Sequence, residues 1–157
     1  MRRLAIASLL LVVAACASPR PGTGSTTSLP GHGAISIQII PNPIVATRVS
    51  GNSYDFPFEV VVRETGGRAV SVDRVSADVY AVGGIRVGSD SYSAADIRNL
   101  GYPTSLAANG EVRYRFAPRQ SVADERLFGG VHAELHVDAT DDTGTPTRAT
   151  TTVTVTR

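Results

Sequence analysis

Val131-His132-Ala133-Glu134-Leu135-His136-Val137-Asp138 alternates apolar and polar residues without a break. A period of two marks a strand with one face in a core and the other toward water, because successive side chains of an extended chain point to opposite sides. The same rhythm runs outward in both directions. It appears in Ile35, Ile37 and Ile39, in Tyr54, Phe56, Phe58, Val60 and Val62, and in Val112, Tyr114 and Phe116. It returns in Thr151, Val153 and Val155. From Ala34 onward no segment carries a convincing 3.6-residue period.

Breaks in that rhythm are as informative as the rhythm itself. Pro41-Asn42-Pro43, Thr65-Gly66-Gly67, Gly83-Gly84, Tyr102-Pro103 and Asn109-Gly110 punctuate the strands as turns and loops. Gly129-Gly130 reads the same way. Pro57 falls inside an otherwise strand-like run and predicts an edge or a bulge there. Val70 and Val72 have one parity, whereas Val75, Ala77 and Val79 have the other. A strand cannot change faces without an extra residue, so a bulge or kink is predicted at Asp73-Arg74. Ile85 and Val87 are expected to form a short strand, and Ser93-Ala94-Ala95-Asp96 has the spacing of a capped helical turn. The expectation is an all-β domain over residues 34–157, a two-sheet sandwich of about seven to nine antiparallel strands.

The amino terminus reads as an address. Arg2-Arg3 are followed by an apolar run from Leu4 to Ala15. As a helix it would rise about 18 Å, short of the roughly 30 Å hydrocarbon core, but it suits a secretory signal. Val13-Ala14-Ala15-Cys16 then resembles the lipobox of bacterial lipoproteins, an aliphatic residue and two small residues before a cysteine. That resemblance implies a signal peptide over residues 1–15 and a diacylglyceryl thioether on Cys16, moored in a lipid bilayer. It also implies export and a lipid anchor in the cell envelope. Ala17 leans toward the outer membrane where the organism has one, because Asp at that place resembles an inner-membrane retention signal. Residues 16–33 then form a lipidated, flexible linker rich in Pro, Gly, Ser and Thr. Cys16 is the only cysteine, so no internal disulfide is available and burial must hold the fold.

Charge excludes one class of partner. All 15 basic residues are Arg, against 14 acidic ones. Loss of Arg2 and Arg3 with the signal leaves 13 against 14. No concentrated basic face is indicated, so nucleic acid is not expected as a partner.

The closing segment, Val137-Asp138-Ala139-Thr140-Asp141-Asp142-Thr143-Gly144 with the Thr/Val ladder to Val155, resembles the last two strands of bacterial immunoglobulin-like domains. The resemblance implies an immunoglobulin-like sandwich, although the Cys pair and core Trp of antibody domains are missing.

Chemistry is sparse. The sequence has no Gly-x-Ser-x-Gly elbow, His-Glu-x-x-His motif or phosphate-binding glycine loop. No enzyme activity and no cofactor are expected. His132, Glu134 and His136 share the polar face opposite Val131, Ala133, Leu135 and Val137. Alternate strand residues lie roughly 6.6 Å apart, so adjacent pairs could share a metal ion, whereas the two histidines are roughly 13 Å apart. A solvated sheet face accounts for the same pattern. Asp138, Asp141 and Asp142 are better read as turn residues than as a calcium loop, and Arg113 and Arg115 as a solvated face. The stretch from Tyr92 to Tyr102 is the longest departure from strand rhythm and is read equally as the candidate loop for an envelope-protein partner or as a cap on one end of the core. A metal- or small-ligand-binding periplasmic protein using the His132/Glu134/His136 face is the alternative.

Overall fold

The computed structural model describes residues 22–26 and 29–157. Cys16, the signal run and much of the linker lie outside the described residues. Among those described, the chain runs β1 (Thr23–Ser25), β2 (Ile35–Ile40), β3 (Ile44–Val45), β4 (Thr47–Ser50), β5 (Ser53–Asp55), β6 (Phe58–Glu64) and β7 (Val70–Tyr80). It continues through β8 (Arg86–Ser93), helix α1 (Ala94–Asn99), β9 (Ser105–Leu106), β10 (Glu111–Phe116) and β11 (Arg119–Ser121). A 3-10 turn at Glu125–Phe128 precedes β12 (His132–Asp141) and β13 (Pro146–Thr156).

Two sheets face each other, and a smaller one closes a flank. The first has the order β1-β2-β6-β10; the second runs β3-β13-β12-β7-β8, with β9 also on β7. The small sheet is β11-β5-β4. All pairings are antiparallel except β3 with β13, which is parallel. The β-sandwich expected from the alternation is the fold, with more and shorter strands than expected.

The alternation sets which side of each strand is buried. Ala133, Leu135, Val137 and Ala139 of β12 are buried, and so are Ile35, Ile37 and Ile39 of β2 and Val60 and Val62 of β6. Those side chains meet between the sheets in one cluster whose members run from Ile35 to Val155. Among the described residues, the members of that cluster all lie between residues 35 and 155.

The parity change in β7 is a bulge. Asp138 pairs with Arg74 and Ala139 with Val72, so Asp73 is the extra residue. Its carboxylate accepts a hydrogen bond from the Thr140 hydroxyl at 2.7 Å. The helical turn also forms as expected. Ser93 caps α1, accepting from the Asp96 N–H, while the Asp96 carboxylate accepts from the Ser93 N–H.

Three expectations are corrected. The run from Tyr54 to Val62 is two strands in different sheets, because the chain leaves the ladder at Phe56-Pro57. Ile85 and Val87 do not face the core; they are 66% and 56% exposed. The pairing of β7 with β8 shifts between Val79 and Tyr80, which leaves Val87 unpaired, and Gly88, Asp90 and Tyr92 take the inward positions. The stretch read as linker is also ordered in part. Thr23–Ser25 pairs with β2, and a Cβ on Gly24 would lie 1.9 Å from the Thr150 carbonyl oxygen, so β1 presses its backbone on β13. The body begins ahead of residue 34.

Candidate functional site

The polar face of β12 is as the alternation predicts, and its side chains are engaged locally. His132 stacks on Tyr80 with ring centroids 5.4 Å apart. His136 Nδ1 lies 3.0 Å from the Thr150 hydroxyl, and its Nε2 is 3.9 Å from Asp78. Asp138 accepts from Arg148 across the β12–β13 pair. Glu134 stands between Thr152 and Asp78, the second of which is a like charge held by Arg86 at 3.1 Å. Among the described residues, no three His, Cys, Asp or Glu side chains converge as a metal-holding group. On the other sheet Arg113 and Arg115 flank Glu59, and their hydrogen bonds hold its carboxyl below the ordinary value.

The acidic closing turn is a structural clamp. Asp138 pairs with Arg148, and Asp142 pairs with Arg68 at 2.7 Å. Asp141 instead turns inward and accepts from the Thr143 hydroxyl, the Gly33 N–H and the N–H groups of Thr145 and Thr143. These donors, the Thr143 hydroxyl foremost, hold its carboxyl far below the usual range. Carboxylates so divided between separate partners do not form an oxygen cage, and the turn reading holds.

Tyr92 and Tyr102 do not wait in an open loop. Tyr92 stacks on Phe116 at 4.3 Å between centroids, and Tyr102 meets Tyr114 edge to face at 5.8 Å. Together they join β8 and the chain after α1 to β10. Beneath them Tyr114 donates to the Pro103 carbonyl at 3.0 Å. Ile97 of α1 is fully buried, so the excursion closes this part of the core.

What the strand pattern did not reveal lies next to Tyr92. A cleft of about 350 Å³ opens between the inward face of β7–β8 and the segment 118–128. Ala77, Val79, Ala133 and Leu135 line it together with Phe56, Phe58 and Phe128. Asp90 is the one charged residue among those lining it, and no Arg, Lys or His does so. Burial of the Tyr92 phenol raises its pKa, and the neighbouring Asp90 carboxylate adds to that rise. Val87 and Leu127 line the cleft and are 56% and 45% exposed. A mostly apolar cavity of this size with few polar groups has the character of a small-molecule site.

The cleft could not be read from strand rhythm because it depends on two segments far apart in the chain. One signal was present. In Gly88-Ser89-Asp90-Ser91-Tyr92, the residues of Tyr92's parity are a glycine and an acid, so this inward face has no aliphatic side chains to fill it.

No family model matches the chain, and no curated protein matches it. Solved structures do. Northeast Structural Genomics Consortium target SoR45 superposes with a TM-score of 0.52 at 8% identity, covering 82% of this chain and 90% of that one. A Bordetella pertussis protein given the name ApaA aligns at 13% identity and a TM-score of 0.48, covering 88% and 99%. The CARDB domain of PF1109 from Pyrococcus furiosus gives 18% identity and a TM-score of 0.32, covering 80% and 96%. The likeness to the first shows a shared β-rich fold alone.

Proposed function

We propose that this chain is an exported lipoprotein, moored to the cell envelope through an acylated Cys16, whose immunoglobulin-like sandwich is a non-catalytic binding module. The ligand enters the cleft beside β8. The observation that carries this reading is the cleft itself, a mostly apolar cavity of about 350 Å³ beside the buried core. Native cores leave few voids, so a space this large is expected to have a use or to cost stability. Its lining holds one carboxylate and neither histidine nor cysteine, a poor set for acid–base or nucleophilic chemistry and a reasonable one for recognition.

Anchoring rests on Val13-Ala14-Ala15-Cys16. Two or three acyl chains on Cys16 hold a protein at a bilayer where one chain binds only marginally. Cells fed labelled palmitate are expected to label the full-length protein, and Cys16→Ser to abolish the label and release the domain from the membrane fraction. Wild-type protein without label, recovered in free solution, overturns the anchor. The binding reading is tested separately by titrating the sandwich with apolar small molecules while following amide resonances of cleft residues.

A further inference from the structure

We infer that the cleft takes an apolar small molecule carrying one amino group, seated with its charge against Asp90. This inference rests on the cleft being the binding site and adds the chemical class of what fills it.

Size comes first. A dry cavity of about 150 Å³ holds benzene, so about 350 Å³ has room for a molecule roughly twice that size. The aliphatic and aromatic lining favours an apolar body.

Charge then selects the polar end. Asp90 lies on the inward face of β8, opposite Ala77, and is half buried. Its carboxylate accepts from the Ser91 N–H at 2.8 Å and has the Tyr92 hydroxyl beside it as a second donor, and among the described residues it belongs to no ion pair. Arg86, the one arginine of β8, is held by Asp78. A carboxylate beside apolar walls attracts a cation more strongly than it would in water, and an ammonium donates charge-assisted hydrogen bonds to it. An anionic ligand would meet repulsion from Asp90 and no cation in the lining. The Tyr92 hydroxyl next to Asp90 stays protonated and can also bond a ligand heteroatom.

Gly88 keeps the way in open. A Cβ built there would have only the Val79 Cβ for a neighbour, at 3.9 Å, so a larger residue could fill the space without moving backbone.

The test uses residues 22–157, which contain every member of the core cluster among the described residues, titrated with n-octylamine, n-octanol and octanoate by amide NMR. Octylamine is expected to shift the Ala77, Gly88, Asp90 and Ala133 amides saturably. It should bind roughly tenfold more tightly than octanol, with octanoate weakest. Asp90→Asn should bring octylamine to the level of octanol and leave octanol unchanged. Gly88→Val, checked for a native-like dispersed spectrum, should weaken octylamine and octanol alike. Equal binding of octylamine and octanol, insensitive to Asp90→Asn, overturns the amine assignment and leaves the cleft as an apolar site. Absence of saturable shifts at the cleft amides with all three probes overturns both the assignment and the binding-module reading.

Discussion

Glu64 and Asp90 are both acidic residues on the inner side of a strand, and the molecule treats them in opposite ways. Glu64, at the end of the sandwich that holds the β6–β7 and β12–β13 turns, is 1% exposed. It accepts from the backbone N–H groups of Gly66, Asn109, Gly67 and Ala34 at 2.6, 2.8, 3.0 and 3.3 Å. Burial alone would raise its pKa, but these four donors outweigh burial and hold it below the ordinary value. Asp141 clamps the neighbouring turn in the same manner, with His32 Nδ1 at 3.5 Å. At the far end of β7, Asp90 has one backbone donor, the Tyr92 hydroxyl and an apolar cleft beside it. One end uses its charge to tie loops together; the other leaves its charge available. Saturated carboxylates are structural, and an underused one at a cavity is where a ligand gains most.

The comparison breaks first at Glu64. Glu64→Ala leaves four backbone donors without their acceptor and should cost about 3 kcal/mol or more, read from the urea midpoint. Acid probes the same clamp. The Glu64 and Asp141 carboxyls have lower pKa values in the folded chain than in the unfolded one, so their stabilisation is complete above the ordinary carboxylate values. It is lost as pH falls through their folded values. The urea midpoint should therefore hold steady down to about pH 5 and drop below about pH 4. Glu64→Gln should flatten part of that drop. Arginine-paired carboxylates nearer the surface, such as Glu59 and Glu111, contribute with the same sign, and salt should screen their share.

Gly66 sharpens the contrast. A Cβ there would come within 2.4 Å of the His32 carbonyl oxygen and 2.6 Å of the Ala34 nitrogen, both backbone atoms. Gly66→Ala should cost about 2 kcal/mol in the same assay. Midway along the core, Tyr114→Phe removes the hydroxyl that bonds the Pro103 carbonyl and should cost about 1 kcal/mol. Burial pushes that phenol well above its ordinary value, so it should remain protonated through any pH at which the fold survives. Smallest of all, Asp90→Asn and Gly88→Val should change stability by no more than about 0.5 kcal/mol. A large loss at Asp90 would mean that it too is structural, and the contrast between the two ends would collapse.

Much of the sandwich was legible because burial on one face leaves a period-two trace in each strand. The bulge at Asp73 was legible for the same reason: a parity change has only one local remedy. Ser93 and Asp96 announced α1 through a cap that depends on residues three apart. Ile85 and Val87 misled because they share the parity of Ser89 and Ser91, while Gly88, Asp90 and Tyr92 pair with the inward residues of β7. The Tyr54–Val62 run misled because unbroken alternation carries no mark of which sheet each half joins. His132, Glu134 and His136 were correctly placed on one face, but their partners sit on β7 and β13, and spacing along β12 could not supply those.

The sequence by itself determined strand polarity, the bulge in β7, the cap of α1 and the lipobox expectation at Cys16, all of which depend on residues a few positions apart. Tertiary structure alone decided which carboxylates are saturated and that a cleft opens beside β8. Those outcomes depend on segments such as 33 with 141, 64 with 109, and 77–90 with 118–128, which meet only when the sheets close. Distance along the chain hides such meetings, because the local pattern records which side of a strand is buried but not what it is buried against.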